Sequence, residues 1–366
     1  MKEQMNAVIW DGGEYPNGLS YGAFDKPELP GGHWVQIYNH ACGICGSDIH
    51  ALTGRTRRLM PDRNFPAVLG HENAGVVTAV GNSVSHLKAG DRVAVEPLHG
   101  CIDFGGSCMK CRLGLFQLCE RGLNVIGMPN KDMMPGGYGE FSCVHQSHVF
   151  KIPDGLSFAE AAVTDVLAVG VHAMNIGDPQ IGMKVVVLGA GAIGLDMLQV
   201  LKSRGISDVL VVARHAFQAE AAMRLGAARA VLAETDVGKA VADFTHSRGA
   251  DQAYECVGGN AGTLALAIDI CAIGGKIVIV GCPTRPANVD IQAVLFKEAA
   301  LLPSNSYSLF KGVSEFAAAL SLLETGQVNH KALITESYDP QDYGRALDSI
   351  INKQKNRTIK PVFERI

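Results

Sequence analysis

No stretch of this 366-residue sequence is long and apolar enough to cross a bilayer. The longest apolar run, Val185 to Leu195, stops at Asp196, short of the ~18 residues a membrane-spanning helix needs. The N-terminal MKEQMNAVIW lacks the apolar core of a secretory leader. A cationic excess is missing too. Lys and Arg number 32 against 36 Asp and Glu, a formal net charge of −4, which argues against a nucleic-acid binder. Tryptophan occurs only twice. These absences point to a soluble, cytoplasmic protein with neither a nucleic-acid nor a membrane partner.

Glycine and cysteine are plentiful. The 42 glycines suit an α/β enzyme with many tight strand–helix turns. The length suggests two domains rather than one core. Ten cysteines are many for a reducing compartment, where metal binding or reactivity explains them better than disulfides. Four of them lie between Cys101 and Cys119.

The first third carries short β-like runs, Val35–Ile37, Gly75–Val80 and Asp91–Val95, broken by Pro66, Gly70, Gly81 and Gly90. That punctuation predicts an antiparallel, barrel-like domain. From Ser157 the texture changes. Ser157-Phe-Ala-Glu160 is a capping box that opens a helix. Strands Val185–Leu188, Val209–Val212, Asp251–Cys256 and Lys276–Val280 then alternate with helices Ala192–Arg204 and Ala219–Leu225. This rhythm predicts a doubly wound parallel sheet. A helix over Val313–Leu323 and a strand over Ile359–Phe363 are expected near the end.

Val185-Val-Val-Leu-Gly189-Ala-Gly191-Ala192-Ile193-Gly194 runs from a strand through G-x-G-x-x-G into a helix. The first glycine makes the tight turn, the second admits a pyrophosphate, and the third lets helix and strand pack closely. The helix N-terminus offers free N–H groups to the phosphate. The second strand ends Val212-Ala213-Arg214. An NAD site wants a carboxylate there, whereas Arg214 can pair with a 2′-phosphate. We therefore expect NADP in preference to NAD. Stacking of Arg214 on adenine, with both cofactors accepted, is the alternative. Val257 and Val280, after the later strands, are also assigned to the cofactor site.

Three further pieces carry metal donors: Cys45-Gly-Ser-Asp-Ile-His50, Gly70-His71-Glu72 and Thr164-Asp165 through His172. Zinc takes Cys sulfur, His nitrogen and carboxylate oxygen, and a catalytic site keeps one position open. Cys42-Gly-Ile-Cys45 also reads as a redox CxxC, but no thioredoxin-like context surrounds it. His40, His86, His99, His145 and His148 sit in no motif.

Taken with GGYGEF at Gly136–Phe141 and the glycine loop, these motifs resemble the zinc-containing medium-chain alcohol and polyol dehydrogenases. The resemblance spans essentially the whole chain and is nearest the sorbitol dehydrogenase branch. It implies a GroES-like catalytic domain over 1–156 and 301–366, a zinc lobe over about 98–122, and a Rossmann domain over 157–300. Cys45 and His71 match catalytic zinc ligands. Asp165 stands where relatives carry Cys or Glu and still offers a carboxylate. Glu72 either orients the metal shell or binds zinc transiently, and Asp48 holds the ligand imidazole. Ser47 and His50 match the family's proton relay.

Cys108, Cys111 and Cys119 match three ligands of the family's structural zinc, and Cys101 is the fourth candidate. Six residues separate Cys101 from Cys108, more than the family pattern has, so a lobe without metal is the alternative. The resemblance also implies a homodimer or homotetramer and a small-molecule substrate: a polyol, a cyclitol or a sugar hydroxyl. Threonine- or glucose-dehydrogenase-like activity, and a zinc-free quinone or enone reductase, are the competing readings. The arginines Arg55, Arg57, Arg58 and Arg63 read as an anion-recognising segment or as a solvated loop.

Overall fold

The computed structural model describes residues 2–55, 64–129 and 134–365. Arg57, Arg58 and Arg63 lie outside the described residues. The chain divides into two units, Met1–Asp165 with Ile334–Ile366, and Val166–Leu333.

The first unit opens with β1 (Gln4–Trp10), β2 (Leu19–Asp25), β3 (Trp34–Gly43), α1 (Gly46–Leu52), β4 (Ala67–Val68), β5 (Glu72–Val80) and β6 (Arg92–Val95). The cysteine lobe comes next. It holds β7 (Leu98–His99), a 3-10 turn at Cys101–Phe104, α2 (Met109–Arg112), a second 3-10 turn at Phe116–Leu118, and β8 (Asn124–Val125). Then come β9 (Phe141–His145), a 3-10 turn at Gln146–His148, β10 (Val149–Lys151), α3 (Phe158–Ala162) and the first two residues of α4 (Thr164–Gly177), the rest of which lies in the second unit. Ser157 caps α3 in the expected capping box with Glu160.

The second unit holds β11 (Val185–Leu188), α5 (Ala192–Ser203), β12 (Val209–Ala213), α6 (Ala216–Arg224), β13 (Arg229–Leu232), α7 (Val237–Thr245) and β14 (Ala250–Glu255). It continues with α8 (Thr263–Ile270), β15 (Cys271–Ile279), α9 (Ile291–Lys297), β16 (Ala300–Pro303), the hairpin β17 (Leu309–Phe310) and β18 (Val313–Ser314), and α10 (Glu315–Glu324). The chain then returns to the first unit with β19 (Ile334–Tyr338), α11 (Tyr343–Ile351), α12 (Lys353–Asn356) and β20 (Lys360–Glu364).

In the first unit the main sheet runs β10-β6-β5-β3-β20-β19, with β9 also on β3. All its pairings are antiparallel except β19 with β20. A smaller sheet, β2-β1-β4, packs a core of Met5, Val8, Trp10, Leu52, Leu69, Tyr138 and Phe363. These strands alternate buried and exposed residues, as a sheet wet on one face should.

The second unit is a six-stranded sheet in the order β13-β12-β11-β14-β15-β16. Every pairing is parallel. The strand order reverses beside β11, where doubly wound sheets bind ligands. β11 is buried throughout, hence its unbroken β-branched run. The expected boundary after residue 300 falls inside β16, which pairs with β15. α10 belongs to this unit as well, because Glu315 accepts from His172 Nδ1 at 2.7 Å and Asn175 Nδ2 at 2.8 Å. Among the described residues no helix is long and apolar enough to cross a membrane.

Candidate functional site

The end of β3 and the start of β5 lie side by side, with Gly43 opposite Glu72. This pairing brings Cys45, just past β3, beside His71 and Glu72. One donor atom from each of the three lies within 4.8 Å of the others. Gly43 permits the approach, since a Cβ there would stand 1.8 Å from Glu72 Oε2.

Cys45 is the N-cap of α1, and Asp48 closes a capping box by accepting from the Cys45 backbone N–H at 3.0 Å. The fully buried Asp48 has two other tasks. Its Oδ2 accepts from the Tyr138 hydroxyl at 3.0 Å, and its Oδ1 lies 3.5 Å from His71 Nδ1. His71 Nε2 is thereby left facing the Ser47 hydroxyl at 3.3 Å. Burial pushes the His71 pKa down, but Asp48 and Cys45 outweigh it and hold the imidazole well above its ordinary value. A metal ion replaces that proton on binding.

Glu72 is fully buried and paired with Lys360 of β20. Lys360 Nζ also donates to the Ile44 carbonyl at 3.2 Å. Burial acts to lower the Lys360 pKa, yet Glu72 and Cys45 raise it overall. Glu72 Oε2 has no hydrogen-bond partner. A thiol, an imidazole and a carboxylate oxygen left unbonded in a buried pocket make a donor set that suits zinc.

Asp165, in the first turn of α4, is buried but is not part of the 4.8 Å group. It is near enough to Lys360 to add to the rise in that pKa. His50, on α1, is half-buried with an unpartnered Nδ1, and burial, then Arg55 and Lys353, lower its pKa. Sequence reasoning missed Lys360 and Tyr138. A lysine inside the apolar strand Lys360-Pro-Val-Phe363 was the available signal for the first, since a buried lysine needs a partner.

Cys101, Cys108, Cys111 and Cys119 form the second metal-competent group. Cys108 caps α2, and the Cys111 backbone N–H donates to its sulfur at 3.4 Å. That bond and one from Glu120 draw the Cys108 thiol down to about 6. Cys101 and Cys111 are pushed up, chiefly by burial and then by neighbouring cysteines. The lowered Cys108 thiol favours the thiolate form that a metal binds.

In the second unit Gly189 has φ of +103°, and a Cβ there would meet Val257 Cγ2 at 2.7 Å. A Cβ on Gly194 would stand 1.8 Å from the Gly189 carbonyl oxygen, whereas Gly191, the N-cap of α5, faces open space. The three glycines therefore divide into turn, open approach and close packing. Ala192 and Ile193 form the first turn of α5, and Ala213 ends β12 with Arg214 exposed beyond it. Glu255, ending β14, accepts from the N–H groups of Val257 and Gly258 and from the Thr263 hydroxyl. The Val280 N–H is bound by the Glu255 carbonyl at 2.9 Å. A cavity of about 430 Å³ opens beside these loops, lined by Glu255, Gly258, Thr263, Gly281 and Arg285 among others.

Two family models match the chain: the alcohol dehydrogenase GroES-like domain over residues 31–154, and the zinc-binding dehydrogenase model over 192–325. A sorbitol dehydrogenase of Bacillus subtilis is 33% identical over 331 residues, covering 89% of this chain and 88% of that protein. The crystal structure of 2R,3R-butanediol dehydrogenase from Bacillus subtilis aligns with a TM-score of 0.83 at 28% identity, over 99% of this chain and all of the other. A Sinorhizobium meliloti protein, described as a zinc-binding dehydrogenase and bound to NADP, aligns with a TM-score of 0.83 at 27% identity over the full length of both.

Proposed function

The chain belongs to the zinc-binding medium-chain alcohol and polyol dehydrogenases, and from that premise we propose that it oxidises a secondary hydroxyl of a polyol, cyclitol or sugar with NADP⁺. The observation that carries this reading is the convergence of Cys45, His71 and Glu72 in a chain that also has a complete glycine loop. The similarity to a sorbitol dehydrogenase supports a polyol. When bound, zinc supplies Lewis acidity to the alcohol oxygen, and the dinucleotide supplies the hydride acceptor.

Cys45 and His71 hold the metal. Asp165 would be the third donor, and Glu72 would orient the metal shell or bind the metal transiently. Charge supports that division. The Cys45 thiolate and the Asp165 carboxylate balance a divalent ion beside a neutral His71, while the charge of Glu72 is already matched by Lys360. Ser47, beside the metal-facing nitrogen of His71, takes the alcohol proton. His50, whose pKa is held below its ordinary value, hands it on to water. Activity retained with stoichiometric zinc in Asp165→Ala would overturn the ligand role of Asp165.

The four cysteines hold a second, structural zinc. Arg214 takes the 2′-phosphate of NADP. Charge-assisted hydrogen bonds of about 1.5–3 kcal/mol predict a preference over NAD of roughly ten- to a hundredfold. Subunits join through the cofactor-binding unit. Its edge strand β16 and the exposed Ile291, Leu295 and Phe296 of α9 support that face. The decisive experiment is a screen of polyols, cyclitols and sugars with NADP⁺ and NAD⁺ in parallel. Oxidation of none of them refutes the substrate class, and a clear NAD preference refutes the role of Arg214.

A further inference from the structure

The six residues between Cys101 and Cys108 are not slack. They open with the 3-10 turn Cys101–Phe104, and its Asp103 is buried. Asp103 Oδ2 accepts from the Gly100 backbone N–H at 2.9 Å and lies 3.0 Å from His148 Nε2. Its Oδ1 lies 3.3 Å from His145 Nδ1 and accepts from the Ser147 hydroxyl at 3.5 Å. One carboxylate thus gathers the turn's own backbone and three side chains from the segment joining β9 to β10.

His148 completes the tie. It is fully buried, and its Nδ1 lies 2.8 Å from Glu96 Oε2, just past β6. Carboxylate oxygens only accept, so both ring nitrogens act as donors. The face of the ring is enclosed too. His99 stands 4.4 Å away, centroid to centroid, and Phe116 packs edge-on at 5.0 Å. Phe116 lies against the cysteines, since it packs on the cluster of Cys101, Cys108 and Cys111. His148 therefore touches the sheet through Glu96, the first arm of the lobe through Asp103, and the second arm through Phe116.

We propose that His148 and Asp103 are positioning residues for the four-cysteine metal site, a strap that fixes Cys101 on the sheet and so keeps its sulfur beside the other three donors despite the wide Cys101–Cys108 spacing. The inference rests on the reading that these cysteines hold zinc. Groups behind metal ligands commonly change affinity by roughly 10- to 100-fold when removed, and Asp103 is two residues from the ligand it serves.

The test uses the purified, zinc-loaded protein. Metal content is measured, and release to a chromogenic chelator is followed in the wild type, Asp103→Asn and His148→Phe. The phase due to the lobe is identified by its absence in Cys108→Ser. The expected result is lobe release roughly 10- to 100-fold faster in both variants, with the catalytic-site phase unchanged. Equal acceleration of both phases would mean general loosening and overturns the proposal, as does an unchanged lobe phase. If His148→Phe does not fold, Asp103→Asn decides alone. A wild-type protein with no metal on the cysteines overturns the zinc reading and the strap with it. A wild type with two zincs whose variants release the lobe metal at the wild-type rate overturns only the strap.

Discussion

The two metal-competent clusters of the first unit are built on opposite plans. The four-cysteine lobe draws its donors from 19 consecutive residues, Cys101 to Cys119, and presents sulfur alone. The cluster at Cys45, His71 and Glu72 presents sulfur, nitrogen and oxygen and depends on residues far away in the chain, Tyr138 through Asp48 and Lys360 through Glu72. A closed sulfur set holds a metal for structure, whereas a mixed set with supporting charges leaves a position for chemistry. The difference teaches that the mixed-donor cluster is the costlier one to assemble. It buries charges that only the completed sheet can balance.

The sharpest way to break this comparison is to remove one ligand from each cluster. Cys45→Ala should cost about a thousandfold or more in turnover, the several kcal/mol expected of a Lewis acid, while one zinc stays on the lobe. Cys108→Ser should lose the lobe metal and lower the melting midpoint but keep measurable turnover. Equal losses of activity in the two would erase the distinction. The next effect is on stability. Lys360→Met leaves Glu72 buried without its counter-charge and should destabilise the first unit by about 3–5 kcal/mol, read as an earlier denaturation transition. The double variant with Glu72→Gln should recover much of that loss, since no lone charge remains.

The smallest effect is a dependence on pH. Burial lowers the pKa of His148, but Asp103 and Glu96 outweigh it and raise it to about 9, against an unfolded value of about 6.5. The groups facing it are Glu96, Asp103, His99, His145 and the Phe116 ring. A raised histidine contributes stability in full below about pH 6.5 and loses it as pH climbs through about 9. The melting midpoint should therefore fall between pH 7 and 9.5, by roughly 2–4 °C for each kcal/mol lost. That slope should flatten in His148→Phe.

The same contrast marks what could be read from the sequence. Local patterns were legible. The cysteine spacing, the strand–glycine–helix run at Val185–Gly194 and the capping box at Ser157–Glu160 each act within one or two turns of chain. The parallel sheet followed from the alternation of strands and helices, although the contacts of β16 with β15 and of α10 with α4 were not foreseen. Their sequences do not say which sheet edge or histidine they will meet. Long-range polar pairs were not legible. His99, His145 and His148 carry no motif, because their partners, the His145 backbone N–H, Asp103 and Glu96, are 42 or more positions away and are supplied by folding. Asp165 was named only from the resemblance, and Lys360 was missed, because its partner Glu72 lies 288 positions away.

β20 lies between β3 and β19, yet its residues follow those of every other described strand. A ribosome extends a chain at about 5–20 residues per second, and domains made earlier fold earlier. The lobe has all four thiols once Cys119 emerges. The second unit has its whole sheet once Pro303 does. The pocket of Cys45, His71 and Glu72 waits for Lys360. Until then the Glu72 carboxylate lacks its lysine partner. Synthesis itself thus imposes a sequence on assembly: the four thiols of the lobe are complete first, the parallel sheet of the second unit next, and the pocket of Cys45, His71 and Glu72 gains its lysine only with β20.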